Sequence, residues 1–265
     1  MSKRNIDWND SKLKQRLSEG RGTGEKEDYT PWHKTQDFPS YGRASRLLGV
    51  KTGRIHHFFS KTQRDYFLLL DWDDSVYDIR EQFPLLDYKT VISELSDIEC
   101  SKFSNDIADY VLTTTFLVTM VNDDGSFKYF ARSVKYASDL EKKIAQEKLE
   151  IERRYWESKS IEWKLVTNKD INMVKVKNLE YINQSSSLKY TNESFEDISH
   201  RIRDKYLCGN DKILSTIFAD IDNTMGLPRG ECILIFKSLL ARKMIIVDIN
   251  EMIDIRRPME LVFRY

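Results

Sequence analysis

Residues 111–135, VLTTTFLVTMVNDDGSFKYFARSVK, decide how this chain folds. Val111 to Val121 is dense in Thr, Phe, Leu and Val, which suit a pleated, partly buried strand. Asn122-Asp123-Asp124-Gly125 has turn chemistry, and Phe127 to Lys135 alternates toward a second strand. The stretch therefore predicts a β-hairpin.

Helical and strand patterns flank it. Upstream, Ser60 to Trp72 predicts a helix: Ser60 is its cap, Gln63 three residues later completes a capping box, and Tyr66, Phe67, Leu69 and Leu70 supply the buried face. Ser75 to Phe83 reads as a strand that Pro84 ends, and Tyr88 to Phe103 as a helix and loop. Downstream, Ser138 is placed to cap a long charged helix, Asp139 to Lys159. Glu162 to Thr167 returns as a strand, and Asp170 opens a helix through Tyr181. This order predicts a mixed α/β sheet flanked by helices.

Farther upstream, Arg43 to Leu48 and Arg54 to Phe59 read as strands of a second hairpin joined by Gly49-Val50-Lys51-Thr52-Gly53. Ser40 to Arg64 contains Arg43, Arg46, Lys51, Arg54, Lys61 and Arg64 and no acidic residue. Residues 1–60 as a whole hold 12 Lys or Arg against 7 Asp or Glu, although the full chain is balanced at 42 of each. Interleaved with Tyr41, His56, His57 and Phe58, this window suits phosphate contact, where cations displace counterions. A solvated surface hairpin has the same composition. His56 and His57 are neighbours on a strand and point to opposite faces, so they are not expected to chelate one ion; one is expected inward and the other near phosphate.

Trp8 to Glu19 reads as a short amphipathic helix, and Gly20 to Ser40 as an extended arm lying on its own domain or on a partner. Gly22 and Gly24 follow no strand and open no helix, so they carry no phosphate-loop reading. At the other end, Asn183 to Ser194, NQSSSLKYTNES, reads as a linker between a domain over 1–182 and one over 195–265. Three helices follow: Phe195 to Tyr206 capped by Ser194, Lys212 to Met225 capped by Asp211, and Pro228 to Lys243. With Met244 to Ile249 and a last run to Phe263 they form a winged-helix pattern. The third helix offers Arg229, Lys237, Arg242 and Lys243, yet residues 190–265 hold 11 basic against 12 acidic side chains, which favours protein docking over DNA reading.

Composition adds bounds. With 40% hydrophobic residues and 12% aromatic, 265 residues support packed cores. No apolar run is long enough to span a bilayer and MSKRNIDWND has no signal-peptide core, so the expectation is a cytoplasmic protein without membrane contact. Cys100, Cys208 and Cys232 lie far apart in no zinc spacing and are expected to be reduced thiols.

Several blocks, GRGTG, DYTPW, KTGRIHHFFS, VYDIREQFPLL, TTTFLVT, SVK, KLEIERRYW and WKLVTNKDIN, resemble the TnsA family, the endonuclease subunits of heteromeric Tns transposases. Together they span roughly residues 20–175. The resemblance implies a restriction-endonuclease-like domain followed by a winged helix. It also implies cleavage of transposon 5′ ends beside a TnsB-like transposase, with docking on a TnsC-like ATPase. In the family a Glu, an Asp and a Gln-x-Lys pair hold Mg²⁺; the matching positions here are Gln63, Thr115, Ser133 and Lys135, so only the lysine is retained.

Mg²⁺ prefers charged oxygen ligands, and paired ions stabilise both attacking and leaving oxygens. Gln63 offers a neutral carbonyl and Thr115 a hydroxyl, which predicts weak or absent cleavage. Asp73, Asp74, Asp109, Glu150 and Glu152 are the nearby carboxylates; Asp73 and Glu152 are the candidates to replace the missing ligands, Glu152 the better because KLEIERRYW matches the family closely. For each, a solvated or salt-bridged face is the competing reading. Three functions follow: a nicking enzyme built on Lys135, an architectural subunit binding transposon-end DNA and bridging transposase and ATPase, or a stand-alone DNA-binding regulator.

Overall fold

A computed structural model describes residues 9–38, 44–93, 111–183, 192–209 and 213–264. Arg43, Asp109, Asp211, Cys100 and most of the expected linker fall outside these residues. The chain divides into two compact units, Met1–Ile171 and Asn172–Tyr265. The expected linker begins one helix after this division.

The first unit is built on the central hairpin. Strand β3 (Val76–Leu85), β4 (Leu112–Val121), β5 (Phe127–Lys135) and β6 (Glu162–Thr167) form a sheet in that order. The first two pairings are antiparallel and β5–β6 is parallel, so the sheet is mixed, as expected. Gly125 closes the hairpin at φ +80°, with its N–H donating to Asn122 O at 2.9 Å. Helix α2 (Lys61–Trp72) precedes β3, and α4 (Lys143–Ser158) joins β5 to β6. On one face, Leu117 and Ala131 pack with Ile151, Tyr155 and Trp156 of α4. On the other, Phe116 meets Phe58 at 6.4 Å and Tyr66 of α2 at 6.1 Å between ring centroids. Adjacent residues of β4 thus serve the two layers, as strand geometry requires.

Three boundaries differ from expectation. Strand β3 runs through Pro84, which pairs with Thr113; β3 is an edge of the sheet, where a proline is tolerated. The helix expected from Asp139 is a 3₁₀ turn over Ala137–Glu141, and α4 starts only at Lys143. Asp170 instead bonds Thr167, and Asn172 accepts from Val174 and Lys175 N–H at the start of α5 (Met173–Asn183).

Helix α1 (Asp10–Ser18) is capped by Asn9, and the arm after it lies on its own unit. Trp32 is fully buried, its N–H donates to Gln82 O at 3.3 Å, and Tyr29 Oη donates to Glu81 O at 3.1 Å. Gly22 rests on Pro84, where a Cβ would come within 2.3 Å of the ring. The small hairpin is β1 (Ser45–Leu48) paired with β2 (Ile55–Phe58). Between α2 and the central hairpin, α3 is described over Tyr88–Ser93.

In the second unit, α6 (Asn192–Cys208), α7 (Leu214–Met225) and α8 (Glu231–Ala241) precede a ribbon of β7 (Ile245–Ile246) with β8 (Val262–Phe263). Helix α6 starts two residues before the expected cap at Ser194, and α8 starts three after Pro228. Most of α8 is interior: Cys232, Ile235, Phe236, Lys237, Ser238, Leu239 and Leu240 are buried. Lys237 lies 3.8 Å over the Tyr181 ring and the Arg242 guanidinium 4.0 Å over Phe195. Helix α5 belongs to this unit through Asn178, whose side chain donates to Ile249 O and Glu251 O and accepts from Ile253 N–H. Among the described residues no helix is long and apolar enough to cross a membrane.

Candidate active site

The candidate residues of the central hairpin lie where the sheet changes phase. Glu81 pairs with Phe116 and Phe83 with Thr114, but the rung between them, Gln82 and Thr115, does not pair. Gln82 takes φ +51°, a left-handed conformation that costs a non-glycine residue about 1 kcal/mol or more. Side-chain alternation slips there: Leu117 above the break and Thr114 below it both face α4. On the other side β5 leaves β4 after the Phe116–Arg132 rung, while Ser133, Val134 and Lys135 remain paired with β6. Thr115 fills the gap, its Oγ1 accepting the Val134 N–H at 3.0 Å.

Glu152 of α4 reaches this opening and is almost wholly buried. Its Oε2 accepts from the Ser133 hydroxyl and, at 3.2 Å, from Thr114 Oγ1. Trp163 Nε1 donates to Ser133 Oγ at 3.0 Å, and Trp156 Nε1 to Thr114 Oγ1 at 2.7 Å. Burial pushes the Glu152 carboxyl above its ordinary pKa, even though Lys135 and these hydrogen bonds favour the ionised form. Lys135, two residues from Ser133, shares its side of the strand.

Thr115, Ser133, Lys135 and Glu152 are thus brought together, whereas Gln63 and Asp73 are not one group. Gln63 sits in the first turn of α2, where its N–H donates to Ser60 Oγ at 3.2 Å and its Oε1 accepts Phe59 N–H at 2.9 Å. Asp73 caps the opposite end, exposed and bonded to Ser75. Ten residues of helix separate the two by roughly 15 Å. Asp74 is exposed beside Asp73, and Glu150 is paired with Arg153 and Arg154.

These donors do not fit a pair of divalent ions. The Gln63 carbonyl and the Thr115 hydroxyl oxygen each hold a backbone N–H, Ser133 donates to Glu152, and Glu152 alone supplies a carboxylate that burial pushes toward its protonated form. A pair of hard divalent cations is best held by several charged oxygens, and apart from Glu152 the oxygens here are neutral. Among the described residues no group of three His, Cys, Asp or Glu side chains is arranged to hold a metal.

The basic hairpin also divides. Arg54 and His56 serve the interior instead of phosphate: Arg54 forms paired bonds to the Glu81 carboxylate at 2.9 and 2.6 Å, and His56 Nδ1 lies 2.8 Å from Glu81 Oε2. Burial would push Glu81 up, but His56 and Arg54 hold it down to about 2. His57 is buried as well, so neither histidine takes the expected place near phosphate, and its Nδ1 accepts from Thr35 N–H at 3.2 Å. Burial pushes His57 below its ordinary pKa, which suits that acceptor role. Arg46 is exposed on β1, and Lys51 stands in the turn. Sequence reading passed over Glu81 and Thr114; the acid-free basic window over residues 40–64 signalled that a carboxylate from elsewhere would be needed, but not that it would be Glu81.

Residues 73–168 match the family described as TnsA-like endonuclease N terminal, and residues 170–249 match TnsA endonuclease C terminal. The chain is 37% identical over 245 residues to Transposon Tn7 transposition protein TnsA of Escherichia coli, covering 91% of this chain and 87% of that protein.

Proposed function

The chain belongs to the TnsA endonuclease family, and from that premise we propose that it is a Tn7-type transposase subunit that holds transposon-end DNA while cutting it weakly or not at all. The family role is divalent-metal cleavage of the 5′ ends, with Mg²⁺ as the ion, beside a TnsB-like transposase and a TnsC-like ATPase. The observation that carries the reduced-cleavage reading is the engagement of the Gln63, Thr115 and Ser133 oxygens by the protein itself. Lys135 is a basic side chain suited to a phosphate, and Arg46 and Lys51 of the small hairpin are further basic side chains of the kind that contact a DNA backbone. The order of α6, α7, α8 and the β7–β8 ribbon supports a winged helix in the second unit. The burial of α8 supports docking on protein over reading a DNA groove.

Restoration tests this reading. Gln63→Glu and Thr115→Asp both keep an oxygen able to accept the Phe59 or Val134 N–H, so they add charge with little change in hydrogen bonding. With the transposase partner and Mg²⁺, the double variant is expected to nick transposon-end DNA where the unmodified chain does not. Ser133→Gln enlarges a fully buried position and is added only if needed, at a cost of about 1–3 kcal/mol. Robust nicking by the unmodified chain overturns the proposal, and no gain in a folded, assembled double variant shows that the site is misassigned.

Glu152 gives a second reading, a slow nicker using one carboxylate with Lys135. It predicts residual Mg²⁺- or Mn²⁺-dependent nicking that Glu152→Gln and Lys135→Ala each abolish, while the architectural reading predicts none to abolish.

A further inference from the structure

The tip of the β1–β2 hairpin combines exposed apolar side chains with a backbone held in place. Leu48, Val50 and Ile55 are 62%, 69% and 55% exposed, and Leu48 and Ile55 are cross-strand partners. Three large aliphatic side chains at one exposed tip are costly in water unless something covers them. The turn beneath is fixed: Gly49 N–H donates to Arg54 O at 2.9 Å, and Gly53 N–H to Gly49 O at 3.0 Å. The Asp71 carboxylate of α2 accepts Val50 N–H at 3.0 Å and Lys51 N–H at 3.1 Å. Thr52 Oγ1 lies 2.7 Å from His56 Nε2, which ties the turn to buried Glu81. Gly49 is required there because a Cβ would meet Thr52 Oγ1 at 2.6 Å and His56 Nε2 at 2.7 Å.

We propose that this tip is a wedge that enters the minor groove of duplex DNA and partly unstacks a base step with Leu48, Val50 and Ile55. Charge argues for DNA as the occupant. No acid occurs between residues 44 and 64, Arg46 is exposed on the adjoining strand, and Lys51 stands in the turn. Asp71, the carboxylate beside the tip, is turned onto the hairpin's own N–H groups. Apolar wedges flanked by cations are how proteins kink DNA from the minor groove, and a tip already fixed loses little entropy on insertion. The inference rests on the DNA-holding reading above and adds what the hairpin does to the duplex.

Duplexes carrying 2-aminopurine beside each TA, CA or TG step, mixed with the full chain at low salt, test it. Such pyrimidine–purine steps unstack most readily. The unmodified chain is expected to raise emission several-fold at one step, and the triple variant Leu48→Thr, Val50→Thr, Ile55→Thr to bind within a few-fold but lose the rise. If the triple variant melts early, Val50→Thr alone, at the most exposed position, is expected to lower the emission. Binding without any rise, or a rise kept by the variants, overturns the wedge and leaves the DNA-holding reading standing. Failure of the unmodified chain to bind any duplex, alone or with the transposase partner, overturns both.

Discussion

Glu81 and Glu152 are both buried carboxylates that burial pushes up, but the cations around Glu81 reverse its shift while those around Glu152 do not. Glu81 is held at about 2 by His56 and Arg54, below an ordinary carboxyl at 4.5, so the native state gains stability from it above 4.5 and loses that stability as pH falls toward 2. Burial raises Glu152, so its contribution is fully present below the ordinary value and is lost as pH rises through the raised one. Glu81→Gln is expected to destabilise the protein by about 3–5 kcal/mol at neutral pH, since it strands Arg54 beside an uncharged partner. Glu152→Gln is expected to leave neutral-pH stability equal or higher and to remove the loss that sets in as pH rises above the ordinary carboxyl value. Thermal melts of both variants from acid to neutral pH check these expectations, and a Glu152→Gln protein that melts far earlier at neutral pH would contradict the second.

Whole elements owe their placement to side chains at a distance. The start of α8 is held by Asp222 of α7, whose carboxylate accepts Gly230 N–H at 2.7 Å and Cys232 N–H at 2.8 Å. Pro228, the expected first turn, lies ahead of it, so the apparent local signal and the real cap are different residues. Asp222→Ala is expected to cost about 1–2 kcal/mol, read as a fall in the second unit's melting temperature, with the first unit's transition unmoved. Strand β3 teaches the same lesson: Pro84 reads as the end of a strand, yet at an edge of the sheet a proline is tolerated.

At the scale of the molecule, the division at Ile171 places α5 with the C-terminal unit. Val176, Leu179 and Ile182 are buried, and Asn178 ties the chain around Ile249 to Ile253. A fragment of residues 172–265 is therefore expected to unfold cooperatively, whereas residues 195–265, the segment that the linker composition marks off, are expected to be much less stable. Denaturant titrations of the two fragments decide it; equal midpoints would return the boundary to the polar stretch. A polar composition such as NQSSSLKYTNES predicts a linker, yet such a composition need not coincide with where one core ends and another begins.

The sequence by itself determined the central hairpin, the α2 N-cap at Ser60, the mixed α/β class and the TnsA resemblance, because all four depend on residue type at short spacing. The Gln63 half of the expected capping box went to Phe59 N–H instead of Ser60. It also determined that Thr115 and Ser133 carry no negative charge. Only the tertiary structure decided where charge went instead. Glu81, from a strand distant in sequence, neutralises Arg54, and Glu152, from α4, meets Ser133 and Thr114 beside the unpaired Gln82–Thr115 rung. Such pairings follow from which surfaces are buried together, and that is a property of the packed molecule that no short window of residues contains.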